Sequence, residues 1–395
     1  MGVLRFLLAF SVFNAHAALP LGFSIVAGST AVHCFFVISG FYMALVLSEK
    51  YSPAGATYFN FVSSRLLRLA PSYLIVLILT ISLAVLAAGA GLPGLPPFAA
   101  MERVTEAGAG VFFHALNVLS QISLLGQDVY SFLGWAPADG LRFTPALKEG
   151  SDGLYNLLIV PPAWSLSVEI YFYLLAPWLV RLRTPVIFAL IGVSFLCRAV
   201  LASSMGWLGD PWSYRFFPSE LAFFLTGVLA YRAQSAPGSR TIAWTLALVL
   251  LGSLLGLAET LALWQPEMPI QRWARIPLFA ALAVGMATLF SLTKNWRLDR
   301  QIGELSYPLY ISHFLVIWTA GYFFADLSTA PARMALIVAA MLAALALRVW
   351  VDVPVDRFRQ TRFAKRASPA VKSTTAAQQA RANKHSDGLS SPAGQ

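Results

Sequence analysis

Charge is scarce in this sequence. Only 12% of its 395 residues are Asp, Glu, Lys or Arg, while 58% are hydrophobic. Soluble proteins contain about 25% charged and about 45–50% apolar residues. A chain with so little charge and so much apolar surface is not expected to be soluble, and the composition predicts an integral membrane protein.

Cysteine is also scarce, with only Cys34 and Cys197 in the chain. Both lie in long apolar runs, and neither belongs to a C-x-x-C pair or to a Cys/His spacing that binds zinc. We therefore expect neither a disulfide nor a structural metal. The net charge of +10 on a membrane protein indicates topology and contact with anionic lipid, so nucleic-acid binding is not expected.

The motifs of soluble hydrolases and ATPases are missing: the sequence has no G-x-S-x-G, no P-loop and no H-E-x-x-H. Residues 89–94 match G-x-G-x-x-G, but they follow an apolar run and contain a proline where a helix should begin. We interpret them as a turn, because this motif binds nucleotides only between a strand and a helix.

Long apolar runs, by contrast, are abundant. A bilayer core of about 30 Å needs about 17–25 helical residues. Stretches of this kind lie near residues 3–25, 31–48, 70–90, 164–181, 184–205, 216–232, 241–264, 275–293, 306–324 and 333–352. They predict an all-α, polytopic membrane protein with about ten transmembrane helices. Lys and Arg are concentrated on the segments that share a side with the N-terminus, which predicts that both termini of this inner (plasma) membrane protein are cytoplasmic.

Two regions do not fit this pattern. Residues 91–163 are expected to form a long outer loop, in which the apolar stretch Val111–Gly126 is a re-entrant or interfacial helix. Residues 357–395 have few apolar side chains and many Ser, Ala, Gln, Lys and Arg, which is typical of disorder. The predicted organisation is therefore a membrane-embedded domain over residues 1–356 and a disordered basic cytoplasmic tail over residues 357–395.

The first apolar run, RFLLAFSVFNAHAALP from residue 5, has two interpretations. Arg5, the apolar run and the small-x-small sequence Ala15-His16-Ala17 are typical of a signal peptide. As a retained helix, the run puts Arg5 and His16 about three turns apart on one face, with His16 near the middle of the bilayer. We favour the retained helix, because cleavage would leave an odd number of spans and reverse the charge argument for the tail.

Other polar residues at membrane depth are candidates for function, because they are costly to bury there. His16 is suited to accept a proton from a hydroxyl group near neutral pH, although a lone histidine can also serve helix packing. Ser39-Gly40 in the second span indicates either close helix packing or a site. Arg65 and Arg68, at i and i+3, are either topology anchors or ligands for the phosphates of a cytosolic substrate.

The fourth span opens with Trp164-Ser165-Leu-Ser-Val-Glu169. Ser165, Glu169 and Tyr173 follow at i, i+4 and i+8, so they share one helical face. Trp164 is either an anchor in the aromatic belt or part of the site. A carboxylate at this depth needs a partner or a chemical task.

The ninth span begins with Ser306-Tyr307-Pro-Leu-Tyr310-Ile-Ser-His313. Ser306, Tyr310 and His313 share a face. Together with His16 they would provide two histidines within the membrane.

Five motifs in this order resemble the acyltransferase 3 family of integral membrane O-acyltransferases. They are the Arg-x10-His of the first span, FFVISGF, F-x3-R-x2-R-L-x-P, WSLSVE and LSYPLYISH. The resemblance covers about residues 1–356. Asp352-Val-Pro354 is similar to the Glu-x-Pro that closes the family's domain, with Asp in place of Glu.

The resemblance implies a ten-helix core that moves an acyl group, most often acetyl, from cytosolic acyl-coenzyme A (acyl-CoA) to a hydroxyl of a saccharide, a cell-surface glycan or a small molecule. Acyl-CoA would be a co-substrate, with no permanently bound cofactor. His16 would be the essential histidine and general base, Glu169 would orient the histidine or the acceptor, and Arg5, Arg65 and Arg68 would contact the donor. Supporting or substrate-contacting positions would be Ser39, Gly40, Trp164, Ser165, Tyr307 and His313.

Two other functions remain open from the sequence. A secondary transporter or exporter of a glycan or acyl compound would use the polar membrane residues to line a pathway. A scaffold without catalytic activity for surface-polysaccharide assembly would tolerate the loss of His16, Glu169 and His313 together. Direct transfer and an acyl-enzyme on a residue such as Ser39 are both compatible with the motifs.

Overall fold

The computed structural model describes residues 1–17, 26–49, 51, 58–136, 140–144, 147, 153–207, 209–234, 236, 238–262, 272–324 and 326–362. These residues form the predicted all-α polytopic membrane protein. Its α-helices are α1 (Gly2–Ala17), α2 (Gly28–Glu49), α3 (Tyr58–Gly89), α4 (Pro96–Glu106), α5 (Val111–Ser123), α6 (Ala163–Leu179), α7 (Thr184–Met205), α8 (Phe217–Gln234), α9 (Thr241–Ala262), α10 (Arg275–Thr293), α11 (Arg297–Gly303), α12 (Ser306–Phe323) and α13 (Ala330–Leu347).

Six described helices are long and apolar enough to cross a membrane: α2, α3, α7, α9, α10 and the helix that begins with α13. The other four predicted spans coincide with α1, α6, α8 and α12, whose lengths are 16, 17, 18 and 18 residues. Residues 18–25, the end of the first predicted span, lie outside the described residues. The number of ten transmembrane helices stays a prediction.

Glycines bring several pairs of the described helices into backbone contact. A Cβ on Gly252 would collide with the backbone of Phe279, and one on Gly256 with that of Arg275, so α9 and α10 meet along the G-x-x-x-G formed by these two glycines. In the same way, Gly40 of α2 lies against the backbone of Phe224 in α8. The interpretation of Gly40 as a helix-packing residue is therefore the one that its contacts support.

The region between α3 and α6 is more folded than the predicted outer loop. It contains α4, α5, the 3-10 turns Val129–Phe132 and Leu154–Leu157, and an antiparallel hairpin of β1 (Leu133–Ala136) and β2 (Gly140–Phe143), in which Leu133 lies opposite Phe143. Leu154 and Leu157 are completely buried. Part of this region therefore enters the helical core directly before α6.

Helix α5 has the character of an interfacial helix. It is 13 residues long, too short to cross a bilayer. Val111, Phe112 and Leu119 are exposed, whereas Asn117 and Gln121 are buried. Of the two predicted forms for this stretch, an exposed apolar face on a short helix favours the interfacial one.

Two helices are longer than predicted. Helix α3 begins at Tyr58, so Arg65 and Arg68 lie within it and not at its start. Helix α13 continues through the π-helical turn Arg348–Asp352 as far as Arg362. Residues 357–362, assigned to the disordered tail, are therefore helical, and residues 363–395 lie outside the described residues.

The beginning of α1 is held by Asp299 of α11. Its carboxylate accepts hydrogen bonds from the backbone N–H of Gly2 (2.7 Å) and Val3 (2.9 Å). Burial opposes ionisation of this group, but the N–H groups of Val3 and Gly2 lower the pKa of Asp299 below its usual value. This contact fixes α1, which carries both Arg5 and His16.

Candidate active site

A cavity that we call the central cavity lies among α1, α2, α3, α6 and α12, with about 770 Å³ of space that is partly open to solvent. Six predicted site residues from distant parts of the sequence line it: Arg5, Ser39, Arg68, Ser165, Glu169 and Tyr307. Tyr42, Tyr173, Ser306 and Tyr310 also contribute side chains. The motifs therefore converge on one place in the fold.

Glu169 is held by hydrogen bonds from two helices. Its Oε1 accepts a bond from Ser39 Oγ of α2 (2.7 Å) and another from the hydroxyl of Tyr173, one turn further along α6. Its negative charge acts on Arg5 of α1. These contacts of Glu169 include neither His16 nor His313, and its predicted role in orienting the histidine or the acceptor stays a prediction.

Helix α12 presents a polar face to the cavity. The hydroxyl of Tyr307 donates to the carbonyl of Leu69 (2.5 Å), which fixes α12 to α3. The hydroxyls of Tyr310 and Ser165 lie 2.7 Å apart, and Ser165 also donates to the carbonyl of Pro162. Tyr310 and Ser165 thus join α12 to the start of α6.

The two predicted histidines meet next to Tyr310. His313 is completely buried, and its Nε2 lies 3.2 Å from Nδ1 of His16. The two rings stack with their centroids 5.1 Å apart. His16, at the end of α1, is exposed, so it can be reached by a substrate.

The neighbouring carbonyl groups select one neutral form of each ring. His313 Nδ1 lies 2.6 Å from the carbonyl of Tyr310 and must carry a proton to donate to it, which leaves His313 Nε2 as an acceptor. His16 Nδ1 faces that acceptor and the carbonyl of Val12 (2.9 Å), so it too carries its proton. The lone pair of His16 Nε2 is then available to accept a proton.

A second cavity of about 710 Å³ shares Arg5, Arg68 and Tyr307 with the central cavity. We call it the arginine cavity, because Arg348 and Arg359 line it as well. Arg348 forms an ion pair with Glu304, and Arg359 pairs with Asp356 at 2.7 Å. The shared residues make the two cavities neighbouring parts of one polar groove.

Five predicted site residues lie outside both cavity linings: His16, Gly40, Arg65, Trp164 and His313. Arg65 is buried with its guanidinium 5.9 Å from the ring centroid of Phe61, and its contact with a donor stays a prediction. Trp164 is 5% exposed and lies under the guanidinium of Arg215, 4.3 Å from its ring centroid. This burial against a cation is not that of an aromatic-belt anchor, which would face the membrane surface.

The sequence reasoning missed a second set of buried ionisable groups, which we call the closed charge cluster. His33 Nε2 lies 2.8 Å from Glu220, and His33 Nδ1 lies 3.3 Å from Glu259. Arg198 pairs with Glu220 at 2.7 Å, and Arg275 lies 3.7 Å from Glu259. The side chains of His33, Glu220 and Glu259 are completely buried.

A signal for this cluster was present in the sequence. Glu220 is the only acidic residue in the predicted span 216–232, and Glu259 is the only one in the span 241–264. Carboxylates at membrane depth require partners. His33, in the second span, and Arg198, within a span, were the available counter-charges.

The fold and the site together define a class of protein. The chain is a polytopic, all-α membrane protein in which a carboxylate and two arginines line a central cavity and a histidine pair lies beside it. A family model described as an acyltransferase domain matches residues 1–349. The chain belongs to the acyltransferase 3 family and is a membrane acyltransferase.

The comparison with individual proteins adds little about the substrate. The chain is similar to an uncharacterized protein of Aquifex aeolicus (strain VF5), with 26% identity over 163 residues, which covers 40% of this chain and 71% of that protein. No solved structure matches the chain.

Proposed function

We propose that this protein is an O-acyltransferase that moves an acyl group, most often acetyl, from cytosolic acyl-CoA to a hydroxyl of a saccharide, a cell-surface glycan or a small molecule. The observation that carries the proposal is the hydrogen-bonded pair of His16 and His313 beside the central cavity. The pair leaves His16 Nε2 as a base, and acyl transfer to a hydroxyl needs a base at the attacking oxygen.

The arrangement of α1 suits an elongated donor with phosphates at one end and a thioester at the other. Arg5 and His16 are eleven residues apart in one helix, a distance of about 16 Å. Phosphates at Arg5 and Arg68 would therefore allow the thioester to reach the histidine pair. On this proposal the end of α1 that carries Arg5 faces the cytoplasm of the inner membrane, and both termini are cytoplasmic.

The arginines favour an anionic ligand. The charges of Arg5 and Arg68 repel each other, and so do those of Arg68 and Arg359. An anion between like charges removes this repulsion, and guanidinium groups bind phosphate in bidentate fashion. Arg348 and Arg359 would extend the predicted donor site beyond Arg5 and Arg68.

The proposed reaction is a direct transfer. The acceptor oxygen attacks the carbonyl carbon of the thioester while His16 Nε2 accepts the hydroxyl proton. The resulting tetrahedral intermediate breaks its carbon–sulfur bond, and the leaving thiolate of coenzyme A takes the proton from His16. His313 holds His16 in the productive tautomer, while Glu169 positions Ser39 and balances the charge of Arg5.

The test uses membrane vesicles from cells with and without the gene, incubated with acetyl-CoA labelled in the acetyl group. We expect labelled ester to accumulate on a hydroxyl compound only with the gene, and mass spectrometry to find the same compound heavier by one acyl unit in the intact cells. Uptake or export of a labelled compound without ester formation would identify a transporter and contradict the proposal.

A further inference from the structure

A cation that the sequence motifs do not include lies next to the histidine pair. Arg215 belongs to the segment 209–216 between α7 and α8. Its guanidinium lies over Trp164, the neighbour of Ser165, whose hydroxyl lies 2.7 Å from that of Tyr310. Tyr310 lines the central cavity, and its ring centroid lies 6.1 Å from that of His313. Arg215 thus lies near the place where the proposed donor and the proposed base come together.

The position of Arg215 is fixed by three contacts. Its Nε and Nη2 donate to the two carboxylate oxygens of Asp210, at 2.7 and 3.1 Å. Its guanidinium lies over the ring of Trp164, with 4.3 Å from Cζ to the ring centroid. The ring of Tyr214 lies at 5.4 Å and meets Trp164 edge to face. A guanidinium with so many contacts is a pre-organised group and not a mobile surface side chain.

The segment that carries Arg215 is itself anchored. Trp212 stacks on Trp207 with centroids 4.1 Å apart and packs against Phe132 at 4.7 Å. On the other side, Tyr214 lies edge-on to His33 of the closed charge cluster. These contacts join the segment to α2, to the residues that follow α7 and to the turn Val129–Phe132, so that Arg215 belongs to a packed segment.

The guanidinium retains capacity for a ligand. The bonds to Asp210 use Nε–H and one N–H of Nη2, while Nη1 makes no hydrogen bond to any described residue. The side chain is 13% exposed. In a site of low polarity, such an N–H group stabilises a developing negative charge far more than it would in water.

We propose that Arg215 is a further catalytic residue that donates a hydrogen bond to the oxyanion of the acyl-transfer reaction. This inference rests on the proposed function. When the acceptor oxygen bonds to the thioester carbon, the electron pair of the carbonyl bond moves to its oxygen, and the Nη1 group of Arg215 receives that charge. The carbonyl bond re-forms as the thiolate leaves, and Arg215 itself neither gains nor loses a proton. Asp210 is a positioning residue for Arg215.

The experiment measures acetyl-CoA turnover by the full chain in proteoliposomes, with an acceptor and, separately, with water as the acceptor. A residue that stabilises the oxyanion accelerates both transfer and hydrolysis, whereas a residue that binds the acceptor accelerates only transfer. Arg215→Gln should lower kcat of transfer and of hydrolysis by about 10²–10³-fold without changing KM for acetyl-CoA. Arg215→Lys, which keeps the charge, should recover part of the loss, and Asp210→Asn should lower both rates by a smaller factor.

Arg103→Gln on α4 is the matched control, because Arg103 is exposed, and its rates should equal those of the native chain. Thermal unfolding is measured for every variant, rates are expressed per folded protein, and Arg215→Lys provides the test if Arg215→Gln does not fold. A rise in acceptor KM with unchanged hydrolysis would overturn the proposal, and so would native rates in Arg215→Gln. Absence of turnover in the native chain would instead contradict the proposed function.

Discussion

Two groups of ionisable side chains in this molecule differ in how their members are paired. In the closed charge cluster, His33 bridges Glu220 and Glu259, and each carboxylate also has an arginine nearby. The other group, which we call the reaction centre, consists of Arg5, Glu169 and the histidine pair, which line or adjoin the central cavity. In this group the lone pair of His16 Nε2 makes no hydrogen bond to another described residue. The buried charges of the cluster are satisfied by one another, so that removing one leaves its partner unpaired, whereas the groups that line the cavity are available to a substrate.

The difference in pairing determines which histidine can act as a base. The ring of His33 can donate to both carboxylates only as an imidazolium, so it has no free lone pair and cannot act as a base. The histidines of the reaction centre pair with carbonyl groups and with each other, which favours neutral rings. Residue type alone does not assign function here, because both groups contain histidine, glutamate and arginine.

Removing a carboxylate from the closed charge cluster should have the largest effect on the fold. Glu220→Ala leaves Arg198 and His33 buried without that partner, which should lower the free energy of unfolding by about 3–5 kcal/mol. Thermal unfolding in detergent measures the loss. Glu102→Ala on α4 is the control, since exposed substitutions usually change stability by less than about 0.5 kcal/mol. If Glu220→Ala kept native stability but lost turnover, the closed charge cluster would take part in the reaction. The distinction between a structural cluster and the reaction centre would then be wrong.

The histidine pair should behave as one unit in activity. His313→Ala should lower acyl transfer by about 10–100-fold, since His16 loses one of the two acceptors that fix its tautomer, and turnover assays measure this. The double variant His16→Ala/His313→Ala should be no less active than His16→Ala alone, because the second residue acts through the first. If the activity losses of the two single variants multiplied in the double variant, His16 and His313 would have independent roles. His114→Ala, which removes a histidine of α5 that pairs with Thr105 of α4 and lines neither cavity, should have no effect on activity.

A carboxyl group outside both groups should have the smallest effect. Asp128 is buried and accepts a bond from the Tyr171 hydroxyl at 2.8 Å, but no cation among the described residues pairs with it. Burial raises the pKa of Asp128 from 3.8 to about 6. The folded state therefore binds more protons than the unfolded state between these values, and stability is lost as the pH rises from about 4 to about 6.

Asp128→Asn should remove this dependence. The variant should be more stable than the native chain above pH 6, by on the order of 3 kcal/mol at most, and the difference should vanish near pH 4. Unfolding curves at several pH values check it. A difference that does not depend on pH would mean that packing, and not ionisation, determines the effect.

Much of the reaction centre could be predicted from the sequence. The spacing within single helices put Ser165, Glu169 and Tyr173 on one face, and their side chains do lie together with Tyr310 at the cavity. The resemblance to a family brought together motifs that are far apart in the chain. Local periodicity alone could not have done so, because it carries no information about which helices become neighbours.

The closed charge cluster and Arg215 could not be found in this way. The cluster combines side chains of five helices. The paired residues are far apart in the sequence and come together only in the fold. Arg215 lies in an irregular segment with no helical periodicity. The start of α3 was placed too late because Arg65 and Arg68 lower the local hydropathy, although the helix extends well before them.

The most direct test of the central claim is turnover by the purified protein and by His16→Ala, each reconstituted in proteoliposomes with acetyl-CoA and an extract of hydroxyl acceptors. Release of free thiol and formation of ester are measured together with thermal stability. We predict equal amounts of thiol and ester from the native protein, and at least about a 100-fold loss of both in His16→Ala with unchanged stability. Near-native turnover in His16→Ala would contradict the account.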